Sequence, residues 1–124
     1  MILKDDFYSI IQLTDADNTV QATLQLNPAH RIFEGHFPGQ PVVPGVCMIQ
    51  MVKELLEMAS GKTLMLNQAD SIKFLSVINP VDAILVQAQV QYSEQQNNEL
   101  QVTASLHCEE RICLKLKAVF IAST

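Results

Sequence analysis

From Val46 to Ala59 the chain is apolar around most of a helical circumference. Met48, Ile49, Met51, Val52, Leu55, Leu56, Met58 and Ala59 are interrupted only by Gln50, Lys53, Glu54 and Glu57. Those four polar residues fall at i, i+3, i+4 and i+7, one narrow face of a helix that Ser60-Gly61 then ends. A helix with so much apolar surface must be wrapped by other structure, and the polar stripe beginning at Gln50 is predicted to meet a wet cavity or a partner subunit.

The wrapping material is legible as strands. Thr19 to Leu26 alternates Val20, Ala22, Leu24 and Leu26 against polar neighbours, the period of a half-buried strand. The polar turn Asp15-Ala16-Asp17-Asn18 pairs it with a first strand over Phe7 to Leu13. After the helix, Thr63 to Leu66 and Ala69 to Leu75 read as short strands or a loop and a strand, and Asn79-Pro80-Val81-Asp82 as a turn. Ala83 to Ser93, Leu100 to Cys108 and Ile112 to Ala122 complete an antiparallel run, with a polar tip over Glu94 to Glu99. One core helix among strands predicts an α+β architecture, a curved antiparallel sheet around a single helix, in one domain over 1–124.

The helix is entered through Gly35-His36-Phe37-Pro38-Gly39-Gln40-Pro41-Val42-Val43-Pro44-Gly45, which holds three of the five prolines, three of the four glycines and one of the three histidines. Pro41 and Pro44 fix φ and bias their predecessors to extended backbone, so the loop is stiff. On composition alone there are two readings of His36. It is either a solvated residue in a tight strand-to-helix connection, or a base beside the N–H groups of a helix N-terminus, as enolate chemistry requires.

Charge and cysteine usage exclude other classes. Eight basic residues against thirteen acidic ones give a net charge of -5 and a pI near 5.0, with no basic cluster in sequence, which argues against nucleic acid as a partner. Cys47, Cys108 and Cys113 have no metal-like spacing, and no N-terminal signal sequence precedes them, so reduced thiols in a cytoplasmic protein are expected. The apolar runs are too short and too often interrupted to span a membrane. His30 and His107 share no ligand-like spacing, and neither a metal nor a cofactor is expected. Cys47, in the first helical turn, is read as a packed core residue, and Met48, Met51 and Met58 either fill the core or line an acyl tunnel.

The run His36 to Val46 resembles the signature of the (3R)-hydroxyacyl-acyl carrier protein dehydratases of the FabZ and FabA type, which have the hotdog fold. Asn27-Pro28, Phe33-Glu34-Gly35, Ala69-Asp70-Ser71-Ile72-Lys73-Phe74 and Asn79-Pro80-Val81-Asp82 extend the likeness over most of the chain. The resemblance implies that 3-hydroxyacyl thioesters are converted to trans-2-enoyl thioesters. His36 would take the α-proton and the Gly45 backbone N–H would hold the thioester oxygen, with Phe37, Pro44 and Val46 against the substrate. It also implies an acidic acyl carrier protein as partner and a homodimer or higher homo-oligomer; Arg31 and Lys73, which flank the segments that carry the resemblance, are either a docking patch for that carrier or ordinary solvated charges.

The third part of the family's machinery is altered. Its carboxylic acid lies fourteen positions after the histidine, where this chain has Gln50, and its usual glutamine one turn later is here Glu54. An amide donates no proton at useful pH. Either Glu54, displaced by about 6 Å along the helix, supplies the proton, or it is a solvated or interface carboxylate. The alternatives to a dehydratase are a non-catalytic subunit that binds acyl carrier protein or pairs as a heterodimer with an active homologue, and an acyl thioesterase.

Overall fold

The computed structural model describes residues 2–34 and 41–123. The six strands are β1 Tyr8–Ala16, β2 Thr19–Leu26, β3 Leu64–Phe74, β4 Leu85–Glu94, β5 Glu99–Cys108 and β6 Arg111–Ala122. The helix α1, Gly45–Ser60, stands between β2 and β3 in the chain, and a short 3-10 turn, Arg31–Phe33, precedes it. The strands form one sheet in the order β1-β2-β4-β5-β6-β3, with every neighbouring pair antiparallel. One sheet with a single long helix is what the residue pattern predicts, and it is the hotdog architecture that the resemblance implies.

The turns follow from residue type. Asp17 and Asn18 (φ 53° and 57°) join β1 to β2, and Asn97 and Asn98 (φ 63° and 62°) join β4 to β5. Asn and Asp tolerate this left-handed geometry, which matches the twist of the flanking strands. The first turn is therefore two residues rather than four, and β1 runs to Ala16 instead of ending at Leu13. Gly61 at φ 70° closes α1, donating its N–H to the Glu57 carbonyl.

The second difference lies in β3. Its register shifts between Leu66 and Gln68 and again between Ala69 and Ser71. Each bulge breaks the period of two, so a single eleven-residue strand reads in sequence as two short pieces.

Met51, Val52, Leu55 and Leu56 of α1 are fully buried against Leu24, Val86, Val90 and Leu106 on the inner face of the sheet. Each such aliphatic side chain contributes about 1.5 to 3 kcal/mol through removal from water. All three cysteines are buried in this core and unbridged. Burial raises the Cys47 thiol, and burial together with neighbouring Cys113 pushes Cys108 up to about 12. A thiol needs its thiolate to react. Native protein at pH 8 should therefore leave Cys47 and Cys108 unlabelled by a thiol reagent that modifies both in denaturant.

Candidate active site

The start of α1 is built by backbone. Pro44 is the N-cap, in extended conformation and without a side-chain cap, and its carbonyl accepts the N–H groups of Cys47 and Met48 at 3.0 and 3.2 Å. Gly45 and Val46 open the helix and have no carbonyl one turn back to receive their N–H groups, the general condition for holding an anionic oxygen at a helix N-terminus. Val43 is buried, whereas Val46 is exposed.

Gly45 is glycine for a steric reason. A Cβ there would stand 2.7 Å from Cζ and 2.9 Å from Cε1 of Phe74, the last residue of β3. The Phe74 ring thus lies over the helix start and is half exposed. Val43, Met48, Leu75 and Val77 join Gly45 and Phe74 in lining an open, mainly apolar cleft. Phe74 is the site residue that residue-type reasoning missed. The only hint was the demand for glycine at position 45, since a half-exposed aromatic at a strand end carries no periodic signal. Gly45→Ala should therefore lower the thermal midpoint relative to the same substitution in a Phe74→Ala background, a coupling that a double-mutant melting series measures.

One turn further, Gln50 and Glu54 do come together. Gln50 Nε2 donates to Glu54 Oε2 at 2.9 Å. The Leu3 N–H donates to the same oxygen at 2.7 Å, and the Lys4 N–H and the Tyr8 hydroxyl both donate to Oε1 at 2.9 Å. Glu54 is buried. It faces neither solvent nor a wet cavity, because the chain's own residues 3–8 cover it. A carboxylate has about four lone-pair sites, and four donors occupy them. Two of those donors are backbone N–H groups that cannot turn round. Burial first, then the Glu54 charge and hydrogen bond, raise the Tyr8 hydroxyl far above its ordinary value, so it too remains a donor.

Glu57 of the polar stripe is also engaged within the chain, its Oε2 accepting the Leu64 N–H at 2.9 Å. Nothing in the sequence announces these partners, since main-chain N–H groups belong to every residue type.

His36 and Phe37 lie outside the described residues. His30 is structural: its Nδ1 accepts the Ile32 N–H at 3.1 Å, its Nε2 lies 3.2 Å from Asp6 Oδ2, and its ring packs edge-on against Phe7. Arg31 is exposed on the 3-10 turn and Lys73 on the outer side of β3. Among the described residues no helix is long and apolar enough to cross a membrane.

A profile of the ApeI-like family, described as ApeI dehydratase, matches residues 12–115. The chain belongs to the ApeI-like dehydratase family. It is 29% identical over 110 residues to a 3-hydroxyacyl-[acyl-carrier-protein] dehydratase FabZ of Lactobacillus helveticus, covering 83% of this chain and 73% of that one. A FabZ of Pediococcus pentosaceus is 24% identical over 114 residues, covering 86% and 76%. In structure, this ApeI-like chain is similar to a chain of the dehydratase heterocomplex ApeI:P from Xenorhabdus doucetiae, with a TM-score of 0.77 and 20% identity over 90% of this chain and 96% of that one. A hypothetical thioesterase with coenzyme A from Streptococcus pneumoniae shares the fold at a TM-score of 0.64 and 12% identity, covering 94% and 85%.

Proposed function

We propose that this ApeI-like chain removes water from 3-hydroxyacyl thioesters borne on an acyl carrier protein, giving trans-2-enoyl thioesters, in the cytoplasm and without a cofactor. The observation that supports it best is the uncapped start of α1 at Gly45, opening into an apolar cleft under Phe74. In this reading the Gly45 N–H holds the thioester oxygen, an interaction worth about 3 to 4 kcal/mol in the transition state. Pro44, Val46 and Phe37 contact the substrate. His36 takes the C2 proton, the electron pair forms the C2–C3 double bond, and the C3 hydroxyl departs.

The departing hydroxide needs a proton. Glu54 carries four donors and Gln50 has none to release, so we assign the return of that proton to the His36 imidazolium, with Gln50 as a positioning group for the leaving hydroxyl. Net, one water leaves and the enzyme is unchanged. The exposed apolar side chains of Val46, Met65, Phe74 and Val77 support a homodimer or higher homo-oligomer.

The test is formation of 2-enoyl thioester by the purified protein alone. His36→Ala is expected to lower the rate by about 10² to 10⁴, and equal rates would remove His36 from the reaction. The amide at position 50 also favours a second reading, a subunit that gains its acid from a homologous partner, as a heterocomplex would allow. No product from the protein alone, with product on mixing with such a homologue, would select that reading.

A further inference from the structure

The face of the sheet turned away from α1 is chemically graded. Across β2, β4, β5, β6 and β3, one row of register partners reads Gln21, Gln89, Ser105, Lys115 and Lys73. The next row reads Thr19, Gln91, Thr103, Lys117 and Ser71. Amides and hydroxyls fill the first three strands. Charge enters only at β6 and β3, and in both rows it is positive.

Lys73 and Lys115 are direct cross-strand partners. Like charges so placed repel. Lys117 stands two residues from Lys115 on the same face, and all three lysines line one open groove with Ser71, Thr103 and Ser105. The acid that comes near is Asp70 at the second bulge of β3, which lines the adjoining groove with Lys117 and accepts the Gln68 amide at 2.6 Å. Among the described residues the ion pairs are formed by Lys4, His30 and Lys62, not by these lysines. A chain with thirteen acids and eight bases has thus gathered three cations that form no ion pair among the described residues.

The groove is open to solvent on the outer face of the sheet, where a macromolecular surface can reach it. Its cations are lysines, mobile point charges that steer and register an acidic surface, and not arginines fixed for bidentate phosphate recognition. Successive side chains of a strand point to opposite faces. Lys73 therefore faces away from the side of the sheet that Phe74 faces, and residues 75–77, which follow Phe74, line the cleft over Gly45.

We propose that Lys73, Lys115 and Lys117 form the docking face for an acidic carrier protein, which reaches the cleft around the end of β3. This rests on the reading above that substrate arrives on a carrier, and it places the contact on the outer sheet face rather than on Arg31.

The test compares wild type with the Lys115→Glu/Lys117→Glu variant, both exposed positions, after matching thermal melts. Two measurements are made: binding of a fluorescent 3-hydroxyacyl carrier protein, and turnover of the same acyl group on pantetheine. The expected result is carrier binding weakened about ten-fold or more, with its salt dependence between roughly 50 and 300 mM flattened, while pantetheine thioester turnover is unchanged. Unchanged carrier binding in the variant overturns the docking face. Displacement of the carrier by 1 mM inorganic phosphate also overturns it, in favour of a small-anion site. If wild type turns over neither substrate yet binds carrier through these lysines, the docking face stands and the dehydratase reading falls. Failure of wild type to bind carrier at low salt removes both.

Discussion

Replacing Gln50 by glutamate is expected to raise the rate of 2-enoyl thioester formation by about 10² or more, the ordinary contribution of a positioned general acid. The new carboxyl group would stand about one hydrogen bond from Glu54, where Gln50 Nε2 now lies 2.9 Å from Oε2. Two carboxylates at that distance do not both ionise, and the proton they share has a raised affinity. The Leu3 and Lys4 N–H groups and the Tyr8 hydroxyl all point at Glu54, so the shared proton resides on residue 50. The gain should thus be present at neutral and lower pH and be lost as pH rises through the raised value. Stability should follow the same sign, because a carboxyl whose folded-state proton affinity is raised stabilises the fold below its unfolded value and loses that contribution above. A rate that does not change, or one that rises with pH, would mean that protonation of the leaving group is not what limits this enzyme.

Glu54→Leu should be the most damaging single substitution on α1. It strands four donors, of which the Leu3 N–H and the Tyr8 hydroxyl are buried bonds to the carboxylate. Each buried donor left unpaired costs about 1 to 3 kcal/mol, and removing one partner of a buried charged network about 3 to 5 kcal/mol in all. For a domain of this size that is a fall of roughly 10 to 20 °C in thermal midpoint. Glu54→Gln should fall between, since the amide keeps one oxygen but turns an NH₂ group toward N–H donors. Melts read the stability, and limited proteolysis should show residues 2–8 released first. A change below about 3 °C for Glu54→Leu would mean that the carboxylate does not clamp this segment.

Alkaline pH acts on this network through Tyr8 and on the core through Cys108. Tyr8 and Cys108 both hold their protons more tightly folded than unfolded, chiefly because they are buried. Their contribution is complete below their ordinary values of 10.0 and 9.0 and is lost as pH rises through the raised ones. Stability should therefore decline from about pH 9 upward, and Tyr8→Phe should reduce that decline.

Much of this was legible in sequence. The alternation of Ala83 to Ser93 and Leu100 to Cys108 located β4 and β5 to within two residues, because a sheet with one buried face writes its period directly into residue type. The helix and its glycine stop were equally plain. The bulges of β3 were hidden, as they disrupt the very pattern that announces a strand.

By itself the sequence determined the α+β class and the single core helix, which depend on residue type and spacing, while Gln50 stands out only beside the family the chain resembles. Only the tertiary structure showed which donors hold Glu54 and what crowds position 45. The first include main-chain N–H groups of a segment about fifty residues away, and the second is an aromatic ring at the end of β3. Neither contact is encoded in local pattern; both exist only once the chain has closed on itself.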